Sequence, residues 1–187
     1  MNRYDRIVRH ALYRECLKKI TEAETDRIFC RHDMDHNRAV GCLLLQYAAA
    51  CCGGEDNPAT DRNPDDGNAY LSEDILLAAA YLHDIGRCME YEQGLDHARA
   101  SAQLAERILP DCGYDAAEIA LVAEAISGHR GHGAEVGGNL PGDSQAEVLG
   151  ELLYRADKKS RPCWNCQAAE QCYWPAERKN RKPEGNE

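Results

Sequence analysis

Apolar residues recur along most of the chain at the three- and four-residue intervals of amphipathic helices, and no segment alternates apolar and polar residues like a half-buried strand. The pattern predicts an all-α protein, a compact helical bundle with polar connections. The chain is predicted to consist of a domain over residues 1–160 and a cysteine-bearing C-terminal tail over residues 161–187. Besides a central core helix, the predicted helices cover residues 3–21, 34–51, 96–109, 115–127 and 145–158.

The central core helix is predicted between the helices over residues 34–51 and 96–109. Residues 75–82 are all apolar, which indicates a helix buried on every side. Ser72 has the side chain of an N-cap, and Gly86 stands where a C-terminal cap is expected. His83 and Asp84 come between the apolar run and Gly86. An imidazole and a carboxylate are therefore predicted at the buried end of a core helix.

Composition places the chain among globular proteins. Of its 187 residues, 43% are hydrophobic and 29% are charged, which excludes a disordered chain. No apolar run approaches the roughly 20 residues that cross a bilayer, and the charged N-terminus lacks a signal-peptide core. We therefore expect a cytoplasmic protein with no membrane partner. Residues 53–68, rich in Gly, Pro, Asp and Asn, are predicted to form a surface loop.

The formal net charge of −10 argues against a nucleic acid as partner, because such binding depends on Lys and Arg that displace counterions. The charge is compatible with a small phosphorylated substrate, since a bound cation supplies positive charge locally. Ten cysteines are many for this length, and a reducing cytosol disfavours a disulfide framework. Clustered cysteines are therefore interpreted first as metal ligands.

The carboxylate at the end of the core helix needs a positive partner, because desolvation of its charge is costly. Neutral imidazole and carboxylate oxygen are both good ligands for first-row divalent metals. The alternative is that Asp84 pairs with an arginine and that His83 fills core space. Two further residues favour the metal, since His36 stands near the start of the second predicted helix and Asp157 near the end of the last. Three helices thus each present a ligand type at one end.

The stretches "HNRAVGCLLLQYA", "AAAYLHDIGR" and "LLYRADKKSR" that contain these residues resemble the HD superfamily of metal-dependent phosphohydrolases. The family pattern is a histidine early in one helix, a His-Asp pair that ends the next core helix, and a distant aspartate. The resemblance covers about residues 30–160. It implies a compact HD-domain helical bundle in which His36, His83, Asp84 and Asp157 bind one divalent cation.

Two further stretches, "DHARASAQLAERIL" with His97 and "AISGHRGHG" with His129, lie where two-metal members of this superfamily use additional histidines. Their spacing, with the stretches "HRGHG" and "LLYRADKKSR", is similar to the bacterial HD hydrolases that cleave diadenosine tetraphosphate to two molecules of ADP. This resemblance implies a dinuclear iron-type or manganese-type centre, with a second cation held by the two histidines and bridged to the first by Asp84. Arg87 and Arg130 are then candidate phosphate clamps and, with Asp84, the candidate catalytic residues.

For several residues near the predicted metal ligands, the sequence allows more than one interpretation. The two histidines assigned to the second cation are otherwise surface residues at helix ends, and His132 is a weaker candidate in the same segment. Glu90 or Asp96 is expected to orient a histidine ligand. His10 and His32 are interpreted as structural or surface residues.

The tail carries three cysteines in the stretch "RPCWNCQAAEQCYW". Cys163 and Cys166 have the spacing of a common zinc half-site, Cys172 follows nearby, and Cys30 is the candidate fourth ligand. Zinc or an iron–sulfur cluster suits four thiolates. The alternative is a set of reduced cysteines beside aromatic residues that packs the tail against the domain. The remaining cysteines are interpreted as small core residues.

The sequence therefore predicts an enzyme, a metal-dependent phosphohydrolase of HD type that acts on an ester or anhydride bond in a nucleotide-like small molecule. The alternative is a non-catalytic regulatory or redox-sensing module that uses a bound metal or the cysteine cluster. A homodimer is compatible with either interpretation.

Overall fold

A computed structural model describes residues 2–52, 71–128 and 144–182 of the chain. These residues form eight α-helices and three single turns of 3-10 helix, with no strand among them, which confirms the predicted all-α class. None of the described helices is long and apolar enough to cross a bilayer. The predicted surface loop at 53–68 lies outside the described residues. The helices are α1 (Arg3–Arg9), α2 (Ala11–Ala23), α3 (Met34–Cys52), α4 (Glu73–Leu82), α5 (Arg87–Gln93), α6 (His97–Cys112), α7 (Ala116–Gly128) and α8 (Gln145–Lys159).

Helix α4 is the centre of the bundle. It packs against α1, α3, α6, α7 and α8. Every residue from 75 to 80 is buried, as is Leu82, which confirms the prediction of a helix enclosed on all sides. Ser72 caps its start, since its hydroxyl oxygen accepts a hydrogen bond from the backbone N–H of Ile75. His83 and Asp84, which follow Leu82, are therefore held in the interior of the bundle by a well-packed helix.

The single helix predicted over residues 3–21 is two helices in the structure. His10 has an extended backbone, with φ −64° and ψ 134°, and separates α1 from α2. Its Nδ1 accepts a hydrogen bond from the backbone N–H of Leu12 at 3.2 Å, so His10 acts as the N-cap of α2. Apolar periodicity alone does not reveal this break. The change of direction lets α1 pack on α4 and α6 while α2 packs on α5.

Gly86 does not cap the core helix at its C-terminus, contrary to the sequence prediction. Its φ is −69°, and it precedes a further short helix, α5, which the sequence did not predict. A Cβ atom at this position would lie 2.4 Å from both the carbonyl oxygen of His97 and the backbone nitrogen of Ser101. The backbone N–H of Gly86 also donates to the Ser101 hydroxyl at 2.8 Å. Glycine is required here because α6 approaches the backbone closely.

The tail is tied to the end of α8 by polar contacts. The side-chain amide of Asn180 donates to the carbonyl oxygens of Lys158 and Arg161, each at 2.8 Å, and to that of Lys159 at 3.3 Å. Carbonyls at a helix C-terminus lack partners within the helix, so one side chain of the tail satisfies several of them. The boundary at residue 160 stays a prediction, and hydrogen bonds cross it.

Candidate metal centre

Four predicted ligand residues come together at the buried ends of three helices. His36 lies in the first turn of α3, His83 and Asp84 follow α4, and Asp157 lies in the last turn of α8. One ligand atom from each lies within 4.8 Å of all the others. Within the described residues, no other group of three or more histidine, cysteine or carboxylate side chains meets that condition. The arrangement follows from the packing of α3, α4 and α8 on one another.

The distances inside this group are those between neighbouring ligands of a single ion. Nε2 of His36 lies 3.4 Å from Nε2 of His83 and 3.4 Å from Oδ1 of Asp157. Oδ2 of Asp84 lies 3.2 Å from Nε2 of His83 and 3.6 Å from Nε2 of His36. Ligands about 2.0–2.2 Å from one metal, at angles near 90–110°, lie about 3.0–3.6 Å apart.

Hydrogen bonds set the tautomer of both imidazoles. Nδ1 of His83 donates to the carbonyl oxygen of Ala80 at 2.8 Å, because a carbonyl can only accept. The Ser160 hydroxyl donates to the carbonyl of Asp157 at 2.8 Å, and its oxygen accepts from Nδ1 of His36 at 3.3 Å. In the neutral form of each ring, Nε2 therefore carries the lone pair and faces the carboxylates. Such orientation through the other ring nitrogen is usual for histidines that bind metals.

The electrostatics of the group favour a cation. Burial raises the pKa of Asp84 and of Asp157, but nearby positive groups outweigh it, and both pKa values lie below the ordinary range. For Asp157 the main opposing charge is Arg161, whose Nη2 lies 2.8 Å from Oδ1, followed by Lys158. Burial lowers the pKa of His83, but the two carboxylates outweigh it and raise this pKa overall. Two carboxylates and two imidazole nitrogens in a buried space fit a divalent metal.

His97, predicted to hold a second cation, lies beside Asp84 as the resemblance implied. Its Nε2 is 3.3 Å from Oδ1 of Asp84, and its Nδ1 is 3.1 Å from Oε1 of Glu90. Of the two acids considered for orienting a histidine, the structure places Glu90 there, whereas Asp96 caps α6 by accepting from the backbone N–H of Arg99. His129, Arg130 and His132 lie outside the described residues, so the second cation stays a prediction.

Arg87, a predicted phosphate clamp, makes two ion pairs within the protein. Its Nε lies 3.0 Å from Oδ1 of Asp84, and its Nη1 lies 3.0 Å from Oε2 of Glu90. With His97, these three residues form a closed ring of polar contacts. The guanidinium therefore fixes the Asp84 carboxylate, and contact with a phosphate stays a prediction.

His32 is a residue of the site that sequence reasoning missed. It is buried, with 3% of its surface exposed, and its Nε2 lies 3.8 Å from Oδ2 of Asp84. The sequence analysis interpreted His32 as a structural or surface residue, and the surface alternative was wrong because the side chain is buried. The one signal in the sequence was its position four residues before His36, in "HDMDH".

The four cysteines considered as a second metal site are free thiols of intermediate exposure, and no three of their sulfurs lie within 4.8 Å of one another. The alternative, in which aromatic residues beside these cysteines pack the tail against the domain, is only partly confirmed. Trp164 and Tyr173 are exposed, whereas Trp174 lies under the guanidinium of Arg161, 5.8 Å from it. Of the other cysteines, Cys42 is exposed, contrary to its assignment to the core. Those assigned to the core and found buried are Cys16, Cys88 and Cys112.

Comparison with known proteins gives three findings. The family profile of the HD domain matches residues 34–161, more than half of the chain. An uncharacterized protein of Clostridium beijerinckii (strain ATCC 51743 / NCIMB 8052) is 30% identical over 182 residues, which cover 97% of this chain and 98% of that protein. A crystal structure of a predicted HD superfamily hydrolase from an uncultured Thermotogales bacterium is 27% identical, with a TM-score of 0.47. The alignment covers 77% of this chain and 65% of that one.

Proposed function

Because the chain belongs to the HD-domain family, we propose that it is a metal-dependent phosphohydrolase that acts on a nucleotide-like small molecule. The observation that carries the proposal is the buried group of His36, His83, Asp84 and Asp157, with ligand atoms within 4.8 Å of one another. Both imidazoles present Nε2 lone pairs to it, and both carboxylates have pKa values below the ordinary range. The group therefore offers two nitrogen and two oxygen donors to one cation.

A divalent cation bound there would act as a Lewis acid towards phosphoryl oxygens and lower the pKa of a coordinated water. The contribution of the chain's own residues is to hold the ligating carboxylates in a fixed orientation. Arg87 fixes the Asp84 carboxylate, and Arg161 and Lys158 fix that of Asp157. These contacts reduce the reorganisation needed during reaction, which is the main protein contribution to phosphoryl transfer.

The substrate class rests on sequence resemblance. The stretches around His97, His129 and Asp157 are similar to those of hydrolases that cleave diadenosine tetraphosphate. The net charge of −10 does not exclude a small anionic substrate, because a bound cation would supply positive charge at the site. The substrate panel therefore comprises dinucleoside tetraphosphates, nucleoside mono-, di- and triphosphates, and a simple aryl phosphate.

The test combines elemental analysis and turnover of anaerobically purified protein. Asp84→Ala should lose the metal and all hydrolysis while it keeps the helical circular dichroism of the wild type. Asp35→Ala is the matched control, since Asp35 lies near His36 in the first turn of α3 but its side chain is exposed. Undiminished turnover in Asp84→Ala would contradict the proposal. A metal lost in Asp84→Ala, with no turnover of any panel member by the wild type, would favour the regulatory module.

The same analysis of Cys166→Ser tests the tail. Because no three of the candidate sulfurs are gathered in the structure, we expect the variant to retain the metal content of the wild type. A stoichiometric loss of zinc or iron would restore the cysteine site that the sequence predicted, and would separate it from the centre at Asp84.

A further inference from the structure

The first residues of the C-terminal tail lie beside the last of the four candidate ligands. Asp157 lies in the last turn of α8, and Arg161 lies two residues after the end of that helix. Nη2 of Arg161 donates to Oδ1 of Asp157 at 2.8 Å, and the same oxygen lies 3.4 Å from Nε2 of His36. Arg161 therefore contacts the carboxylate oxygen that faces another candidate ligand.

Arg161 is better placed than Lys158 to fix this carboxylate. Nζ of Lys158 lies 2.7 Å from Oδ2 of Asp157, but the lysine side chain is 42% exposed, and an exposed ion pair contributes little. The side chain of Arg161 is only 12% exposed. The orientation of the Asp157 carboxylate therefore depends mainly on where the guanidinium of Arg161 is held.

The hydrogen bonds of Arg161 do not by themselves fix the plane of its guanidinium. Its Nε is buried and has no hydrogen-bond partner among the described residues. The indole ring of Trp174 provides a second contact, since Cζ of Arg161 lies over this ring, 5.8 Å from the centroid. A guanidinium within about 6 Å of an indole centroid is attracted to the negative face of the ring. Asp157 and Trp174 together therefore define the position of the guanidinium.

Further hydrogen bonds hold the tail in the position that this contact needs. The ammonium of Lys179 donates to the carbonyl of Ala169 at 2.6 Å, and Trp174 lies in the segment that this bond closes. The side-chain amide of Asn180 donates to the carbonyl of Arg161 at 2.8 Å. The tail thus fixes both the ring under the guanidinium and the backbone from which the guanidinium extends.

We propose that the C-terminal tail is a functional part of the metal centre, in which Trp174 is a positioning residue. Its indole holds the guanidinium of Arg161, and Arg161 holds the Asp157 carboxylate towards the cation. The inference rests on the metal centre of the proposed function, and it gives the tail a role that does not require its cysteines. A tail that only packs on the domain would stabilise the fold without acting on the metal through Arg161.

The test is a double-mutant cycle on Mn²⁺ affinity, measured by calorimetric titration of the metal-free full chain. Trp174→Leu keeps an apolar side chain but removes the aromatic face, and should raise the dissociation constant about 2- to 5-fold. Arg161→Met should raise it about 10- to 100-fold, as expected when a ligand loses the residue that orients it. In the Arg161→Met background, Trp174→Leu should have no further effect, because the indole acts through the guanidinium.

Trp164→Leu is the matched control, since Trp164 belongs to the same tail but is 44% exposed, and this variant should bind Mn²⁺ like the wild type. Trp174→Phe should lose less affinity than Trp174→Leu, because a phenyl ring keeps an aromatic face. It replaces Trp174→Leu in the cycle if the leucine variant does not fold.

Two results would overturn the role of Trp174. One is a Trp174→Leu protein with the affinity of the wild type, and the other is an equal effect of Trp174→Leu with and without Arg161, which a purely structural role would give. A wild type whose Mn²⁺ binding is insensitive to Asp84→Ala would instead overturn the centre itself.

Discussion

The hydroxyl oxygen of Ser160 lies 3.3 Å from Nδ1 of His36, so the C-cap residue of α8 contacts the ring of a candidate ligand at the start of α3. The same hydroxyl donates to the carbonyl of Asp157, which lies one turn earlier in α8. Ser160 therefore connects two of the four candidate ligands without being one of them. Its oxygen fixes the His36 ring with Nε2 directed into the group.

Replacement of Ser160 by alanine should weaken metal binding without removing a ligand. Loss of an outer hydrogen bond to a metal-binding histidine lowers affinity by about 10- to 100-fold, and we expect the lower figure because the 3.3 Å contact is long. Titration of metal-free protein with Mn²⁺ measures the effect. Ser127→Ala is the control, since Ser127 also donates to a carbonyl three residues earlier near a helix end but is exposed. Equal affinities in the two variants would contradict this role for Ser160.

Gly86→Ala should destabilise the fold and the metal centre together. The added methyl group would meet the backbone of α6 at His97 and Ser101, at 2.4 Å, where no flexible side chain can yield. Overpacking of this kind costs about 3 kcal/mol. Urea unfolding of metal-free protein gives the change in the free energy of unfolding. Gly128→Ala is the comparison, because a Cβ at Gly128 meets nothing within 4 Å, and its unfolding free energy should stay within about 1 kcal/mol of the wild type. A Gly86→Ala protein as stable as Gly128→Ala would show that α6 can move away without cost.

Asn180→Ala should lower the free energy of unfolding by about 1–2 kcal/mol, because several carbonyls at the end of α8 lose their donor. Asn180→Asp should be worse, since it places a negative charge against the negative end of the helix dipole. Urea unfolding compares both variants with Asn165→Ala, in which an exposed asparagine of the same tail is changed. If the Asp variant proves as stable as the Ala variant, the side chain does not face the helix end in solution.

Much of the fold could be predicted from the sequence because its strongest signals are local. The apolar run before His83 specifies a buried helix, and polar ligand types at three helix ends are visible in the chain. Helix α5 was missed because its start depends on the approach of α6, far away in sequence, to Gly86. The break at His10 was missed because histidine is not one of the usual N-cap residues.

The candidate site shows the same division. The group of His36, His83, Asp84 and Asp157 was predicted from an ordered pattern, whereas the contact between His32 and Glu24 was not. Neither residue carries a recognisable motif, and their encounter depends on how the chain turns between α2 and α3. The two carboxylate partners of Arg87 were likewise not predicted, because the sequence does not show which acids lie beside its guanidinium.

The four candidate ligands lie in α3, directly after α4 and in α8, which are far apart along the chain, so an unfolded chain has no preformed site for the cation. Any cation bound there is therefore thermodynamically linked to folding. A free metal concentration 100 times the dissociation constant adds about 2.7 kcal/mol to the stability of the folded chain. The melting temperature should accordingly rise with the logarithm of the free metal concentration, and a chelator should reverse the rise. Thermal unfolding thus reports the occupancy of this centre whether or not a substrate is known.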